Sequence, residues 1–189
     1  MNRRQYRDAL YKAEYRLADM LILKGATITT AESITGGMIA SSIVDVPGSS
    51  NWFKYGFVTY SDEAKHNVLG VSAELLKRES AVSRSVAEEM AIGALKRSGA
   101  DYAIAVTGLA GPGLDELGRA PGLVYIGAAN EKGVRVKKFN FIGNRNEIRR
   151  KTNLSALRMA AEMVRKDIKN RQTEGSEDWD DVCSPLEIF

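Results

Sequence analysis

Three residues of this chain have the types and settings from which acyl-transfer chemistry is built: Ser33, Lys65 and Tyr60. Ser33 lies in TITTAESITGGMIASSIV, residues 27–44. There a β-branched run gives way, through Glu32, Ser33, Thr35 and the pair Gly36-Gly37, to a helix-forming segment. A serine hydroxyl is a weak nucleophile until a base takes its proton. Just before a helix N terminus, the N–H groups of Thr35, Gly36 and Gly37 are potential free donors, and glycines let backbone approach a ligand closely. A well-placed donor of this kind stabilises a developing oxyanion by roughly 3–4 kcal/mol. The other reading of the turn is a helix-capping serine beside packing glycines.

The base has to be sought outside histidine chemistry. His66 is the single histidine, so motifs built on two histidine ligands are excluded, and a Ser-His-Asp triad would have to use it. In TYSDEAKH, Ser61 is typed to cap a helix whose first turn holds Lys65. The positive end of the helix dipole and burial both depress the pKa of an amine so placed, which then serves as a general base near neutrality. Tyr60 next to it would relay a proton or orient the amine. The alternative is a solvated lysine paired with Asp62 or Glu63. In TGLAGPG, Thr107, Gly108 and Gly111 form neither a P-loop nor a dinucleotide fingerprint. Thr107 and the amides near it would hold a ribose or phosphate oxygen, or belong to a plain surface loop. Arg145 and Arg149 open the last helical segment, where an anion can use the dipole and a guanidinium fork together. Taken singly they also read as surface arginines.

The elements that must position these groups follow from periodicity. Apolar steps of three and four predict a helix over 3–24, with Gly25 as a left-handed cap. Strands are expected over 27–31, 55–60, 102–106, 123–129 and 134–141, the last two joined as a hairpin by residues 130–133. Helices are expected over 38–44 and 62–69. Another runs to Arg97 from a capping box at Ser85–Glu88, and a long one to Lys169 from a box made by Asn144 and Glu147. Strands alternate with helices until the hairpin. The expected fold is therefore an α/β class, three-layer α/β/α sandwich around a mixed, mostly parallel sheet. Ligands of such folds gather at the carboxyl ends of strands. Ser33, Tyr60 and Thr107 all fall at such ends.

Composition narrows the function class. At 189 residues, 44% hydrophobic and 27% charged, the chain fits one globular domain. The expected division is residues 1–170, then an acidic, poorly ordered tail over 171–189. Cys183 is the single cysteine, which excludes an internal disulfide and a Cys-rich zinc site. Asn2-Arg3-Arg4 does not lead into an apolar run, and no stretch of 18 apolar residues exists. A cytoplasmic protein is expected, with no membrane partner, metal or cofactor. The net charge of +3 conceals an asymmetry, because 171–189 holds six acids against one base and leaves +8 on the remainder. That basic body suits a phosphorylated small molecule. No aromatic-basic interleaving argues for nucleic acid. The amphipathic first helix with its tyrosines reads as an interface element, so a homo-oligomer is expected.

Several blocks then occur together and in order: TTAESITGG, GSSNWFKYGFVTYSDEAKHNVLGV, AVSRSVAEEMAIGALK, AVTGLAGPG and GNRNEIRRKT. Over about residues 10–165 the chain resembles the CinA C-terminal domain family of competence/damage-inducible proteins, in its stand-alone form. Enzymatic members of that family are nicotinamide-nucleotide amidases. The resemblance implies a compact α/β/α domain that hydrolyses nicotinamide mononucleotide to nicotinate mononucleotide and ammonia. It also implies Ser33 as nucleophile with Lys65 and Tyr60 in place of a histidine triad, and Thr107 with Arg145 or Arg149 positioning the nucleotide. Ile34 stands where the family commonly has cysteine, Asn144 where aspartate is common, and Leu123 where threonine is usual. The 118–123 loop departs most, which bears on substrate range. A second reading is a non-catalytic nucleotide-binding or competence-linked partner protein.

Overall fold

In a computed structural model, residues 2–174 are described in backbone and residues 2–170 in side chains. Helix α1, Arg3–Lys24, begins with a capping box in which Asn2 and Gln5 satisfy each other's backbone N–H. It stops at Gly25, whose φ of +63° no β-carbon favours. Strand β1, Ile28–Glu32, leads through the glycine pair into α2, Met38–Val44. After a short 3₁₀ turn come β2, Phe53–Val58, then α3, Asp62–Leu69, α4, Ala73–Glu79, and α5, Arg84–Ser98. Strands β3, Tyr102–Gly108, β4, Leu123–Asn130, and β5, Gly133–Asn140, precede the long α6, Arg145–Glu174. Residues 175–189, most of the acidic tail, lie outside the described residues.

The sheet order is β2-β1-β3-β4-β5. β1 pairs in parallel with β2 and β3, whereas β4 is antiparallel to both β3 and β5. Four strands therefore run one way and only β4 is reversed, the mixed three-layer arrangement expected. One face packs α1, α2 and α6 around Leu17, Leu21, Ile28, Ile104, Ile126 and Leu157. The other packs α3, α4 and α5 around Ala31, Leu69, Val86, Met90 and Ala105. At the end of the sheet away from Ser33, Tyr102 donates to Asp167 at 2.6 Å and Asn130 donates to it at 2.8 Å. Lys24 joins both, tying α1, β3, β4 and α6 together.

β1 and β5 shift by one residue from the expected bounds, β4 gains one, and α6 runs on to Glu174 rather than Lys169; three further differences have a visible cause. β2 begins and ends two residues earlier, because Thr59 makes a last ladder bond to Glu32 and the chain then turns through Tyr60 to Ser61, which caps α3. α5 is capped by Ser83, whose hydroxyl accepts from Val86 N–H; Ser85 lies inside the first turn. β3 continues to Gly108, since its antiparallel pairing with β4 holds the backbone as far as Gly108↔Val124.

Candidate active site

The carboxyl ends of β1, β2 and β3 meet at a cavity of about 220 Å³ lined by Ser33, Tyr60, Lys65, Thr107, Gly108 and Arg145, with Ile34, Asp62, Ala81, Val82 and Ala110. The reversal of β4 matters for this grouping. It returns the loop 109–122 and, after β5, the start of α6 to the same end of the sheet, so Arg145 reaches a cavity built from β1–β3.

Lys65 is the unusual member. It is 1% exposed, one of the largest fully buried side chains, although a lysine is rarely buried without compensation. Its position follows from the cap: Ser61 accepts from Ala64 N–H and starts α3. The Lys65 side chain then folds back to donate to the carbonyls of Tyr60, at 3.2 Å, and Ser61, at 3.4 Å. Asp62 lies 3.7 Å away. Burial pushes the amine below the usual lysine value, and Asp62 pulls partly the other way. The charged and uncharged forms are thus brought closer in energy at neutral pH.

Ser33 is nearly buried and its backbone is held by Val106, its N–H donating to that carbonyl. Among the described residues its hydroxyl has no hydrogen-bond partner, and the Lys65 amine is bonded to the two carbonyls and not to it. Thr107 lines the cavity but spends its hydroxyl proton on the carbonyl of Ala81, at 2.7 Å. The Tyr60 hydroxyl is at the rim, on a side chain 62% exposed, and accepts from Arg145 at 3.1 Å. It is the Tyr60 carbonyl, not its phenol, that meets Lys65. Arg145 also donates to the carbonyl of Gly111 at 2.7 Å, which places Gly111 at the rim.

The glycine turn does something other than expected. Successive strand residues face opposite layers, so Glu32 points toward α2 when Ser33 points toward α3. The Glu32 carboxylate, fully buried, accepts from Gly37, Ile39 and Ala40 N–H at 2.9, 3.1 and 2.8 Å. Gly36 N–H is bonded to Ser33 carbonyl. The donors foreseen for an oxyanion at Gly36 and Gly37 are thus engaged within the chain, and the anion held at the start of α2 is its own Glu32. The two glycines, at φ +60° and +93°, let the backbone fold around that carboxylate. Arg149 lies beneath the same turn, donating to the carbonyls of Ile34 at 3.1 Å and Thr35 at 2.7 Å. Thr35 is fully buried and its hydroxyl finds no partner among the described residues. Glu32, Thr35, Gly36, Gly37 and Arg149 therefore support the Ser33 turn, while Ser33, Lys65, Tyr60, Thr107, Gly108 and Arg145 share the cavity.

Sequence reasoning did not single out Ala81, Val82 and Ala110, apolar residues with no chemical signature. Asp62 entered only as a partner that would keep Lys65 solvated; it lines the cavity beside a buried lysine. Among the described residues no group of three or more His, Cys, Asp or Glu side chains is placed to hold a metal ion. No described helix is long and apolar enough to cross a membrane.

Comparison with known proteins gives the family. The family model described as the CinA C-terminal domain matches residues 10–164. A CinA-like protein of Endomicrobium trichonymphae is 49% identical over 138 residues, covering 73% of this chain and 32% of that protein. This chain spans about a third of the length of such longer curated relatives. The nicotinamide-nucleotide amidohydrolase PncC of Escherichia coli is 44% identical over 149 residues, 78% of this chain and 90% of that one. Among solved structures, a CinA superfamily protein of Klebsiella pneumoniae superposes with a TM-score of 0.81 at 35% identity, covering 83% of this chain and 98% of its own. CihA, a competence/damage inducible protein of Agrobacterium tumefaciens, gives 0.77 at 40% identity, covering 80% and 93%. The match spans most of the chain, from sequence to fold, and the chain belongs to the CinA C-terminal domain family.

Proposed function

We propose that the protein is an amidohydrolase that converts nicotinamide mononucleotide to nicotinate mononucleotide and ammonia, in pyridine-nucleotide salvage. The observation that carries this reading is the burial of Lys65 in the same cavity as Ser33. A relative of similar length, 44% identical, is named for the same class of reaction. A neutral amine has two N–H groups, one for each carbonyl that Lys65 meets, and a lone pair left to accept the Ser33 proton. Catalytic hydrogen bonds are often loose until substrate binds, and the reaction requires the Lys65 amine to turn its lone pair toward the Ser33 hydroxyl across the cavity they share. The serine oxygen attacks the carboxamide carbon, the C–N bond breaks, and the proton carried by Lys65 leaves with ammonia. Water, deprotonated by the same amine, then cleaves the ester to the carboxylate. Arg145, at the cavity rim, takes the phosphate. Tyr60 orients Arg145 through its hydroxyl and Lys65 through its carbonyl.

The test is ammonia release from nicotinamide mononucleotide by the purified protein, with Ser33→Ala expected to abolish it while circular dichroism stays unchanged. Wild-type-like turnover by that variant would remove Ser33 from the mechanism. One observation favours a second reading, a nucleotide-binding protein without turnover: the Lys65 amine is bonded to two carbonyls, and Ser33 is not among its partners. Calorimetric binding of the nucleotide with no ammonia release would select it.

A further inference from the structure

The cavity has a wall that catalytic chemistry does not explain. Ala81 and Val82 belong to the turn between α4 and α5, whereas Gly108 and Ala110 belong to β3 and the loop after it. The two segments are far apart in sequence, and the Arg119 guanidinium joins them. It donates to the Val82 carbonyl at 2.8 Å and to the Ser80 hydroxyl at 2.7 Å, and its Nε donates to Asp115 at 2.6 Å. Asp115 in turn organises the loop, its other carboxylate oxygen accepting from Leu117 N–H at 3.1 Å and Arg119 N–H at 2.7 Å. Arg119 lowers the Asp115 pKa, which keeps that carboxylate charged across the neutral range. Ser80 is the one described non-glycine residue with positive φ, at φ +65° and ψ 161°, a backbone region otherwise left to glycine. Residues held in such conformations persist when their surroundings over-determine them. Here Ser80 N–H donates to Leu76 carbonyl, and the hydroxyl is gripped by Arg119.

We propose that Arg119, held by Asp115, is a positioning residue: it locks the 80–82 turn to the 109–122 loop and so sets the cavity wall made by Ala81 and Val82. Three acceptors of that turn are then engaged by the β3 end and the loop. The Ala81 carbonyl takes the Thr107 hydroxyl, and Arg119 takes the Val82 carbonyl and the Ser80 hydroxyl. At about 220 Å³ the cavity falls below the 300–1,000 Å³ of sites that enclose a whole drug-sized ligand. It takes the reacting end of a nucleotide, so a wall displaced by about an ångström misaligns the scissile group.

The inference rests on the amidase reading, and two readouts separate the two. The first is steady-state ammonia release by Arg119→Ala, Arg119→Lys and Asp115→Asn, each checked for melting temperature. Arg119→Ala is expected to lose about tenfold to a hundredfold in kcat/KM, chiefly in kcat. Arg119→Lys, with donors for fewer acceptors, should recover part of it. The second is amide hydrogen exchange, expected to speed up in Arg119→Ala at Val82, Leu117 and Arg119→Ala's own position 119, and not in α1 or β1. An active wild type with unchanged kinetics in Arg119→Ala overturns the proposal and leaves the amidase reading standing. A wild type without turnover overturns the amidase reading, and exchange then decides: unchanged rates at 80–82 overturn the lock as well, and faster rates there support it.

Discussion

Lys65 is where the chemistry and the stability of this protein meet. Its amine is disfavoured in the charged form by burial, so the unfolded chain binds a proton more readily over the window between the lowered pKa and the ordinary lysine value. Stability should therefore rise with pH across that window. Lys65→Met is expected to flatten that slope in urea denaturation, to be no less stable than wild type at neutral pH, and to release no ammonia. Asp62 opposes the burial effect, and Asp62→Asn removes that opposition. The acid limb of the kcat/KM profile should then move to lower pH; an unmoved limb in an active variant would dissociate Asp62 from the base. Ser33 and Lys65 were legible as candidates because an AES-type turn and a capped SDEAK helix are local patterns. Gly36 and Gly37 look like ligand donors in the sequence because glycines at a helix start have two uses. Which use applies depends on the face taken by Glu32, and two-residue alternation along β1 already puts Glu32 and Ser33 on opposite sides.

At the scale of elements, the site depends on how α2 and α3 are seated. Glu32 satisfies three N–H groups of α2, and its removal leaves those donors unpaired in a buried place. Glu32→Ala should cost about 3 kcal/mol or more, measurable by chemical denaturation, with a matching loss of order at the Ser33 turn. α3 is set by Gly93 in α5. A β-carbon there would stand 2.0 Å from the Leu69 carbonyl, so α3 packs against bare backbone. Alanine is the better helix former by about 1 kcal/mol, yet Gly93→Ala is expected to destabilise by about 1–3 kcal/mol through overpacking and to reduce activity by shifting Lys65. Helix boundaries were readable where a cap and a periodic face coincide, as at Asn144 with Glu147. They were less so at α5, where Ser83 and Ser85 are both good caps and tertiary packing chooses between them. The Arg119 lock was not legible, since its acceptors on the 80–82 turn are a carbonyl and a hydroxyl nearly forty residues away.

For the whole molecule, charge and topology act together. The substrate proposed carries a phosphate, residues 1–170 carry an excess of positive charge, and Arg145 stands at the rim. Raising ionic strength should therefore raise KM for the nucleotide while leaving kcat nearly constant; a salt-independent KM would mean that the phosphate is not read electrostatically. The sandwich class followed from alternating strands and helices, but strand order could not, because parallel and reversed neighbours carry the same apolar pattern. Only the hairpin over β4 and β5 announced a reversal. That hairpin turns at Glu131 and Lys132, exposed and at the rim of the sheet opposite the cavity. Lengthening such a connection costs little, since closure entropy grows only slowly with loop size. A fluorophore-bearing peptide or an affinity handle grafted between those two residues should leave turnover intact, giving a reporter attachment point remote from the reacting groups.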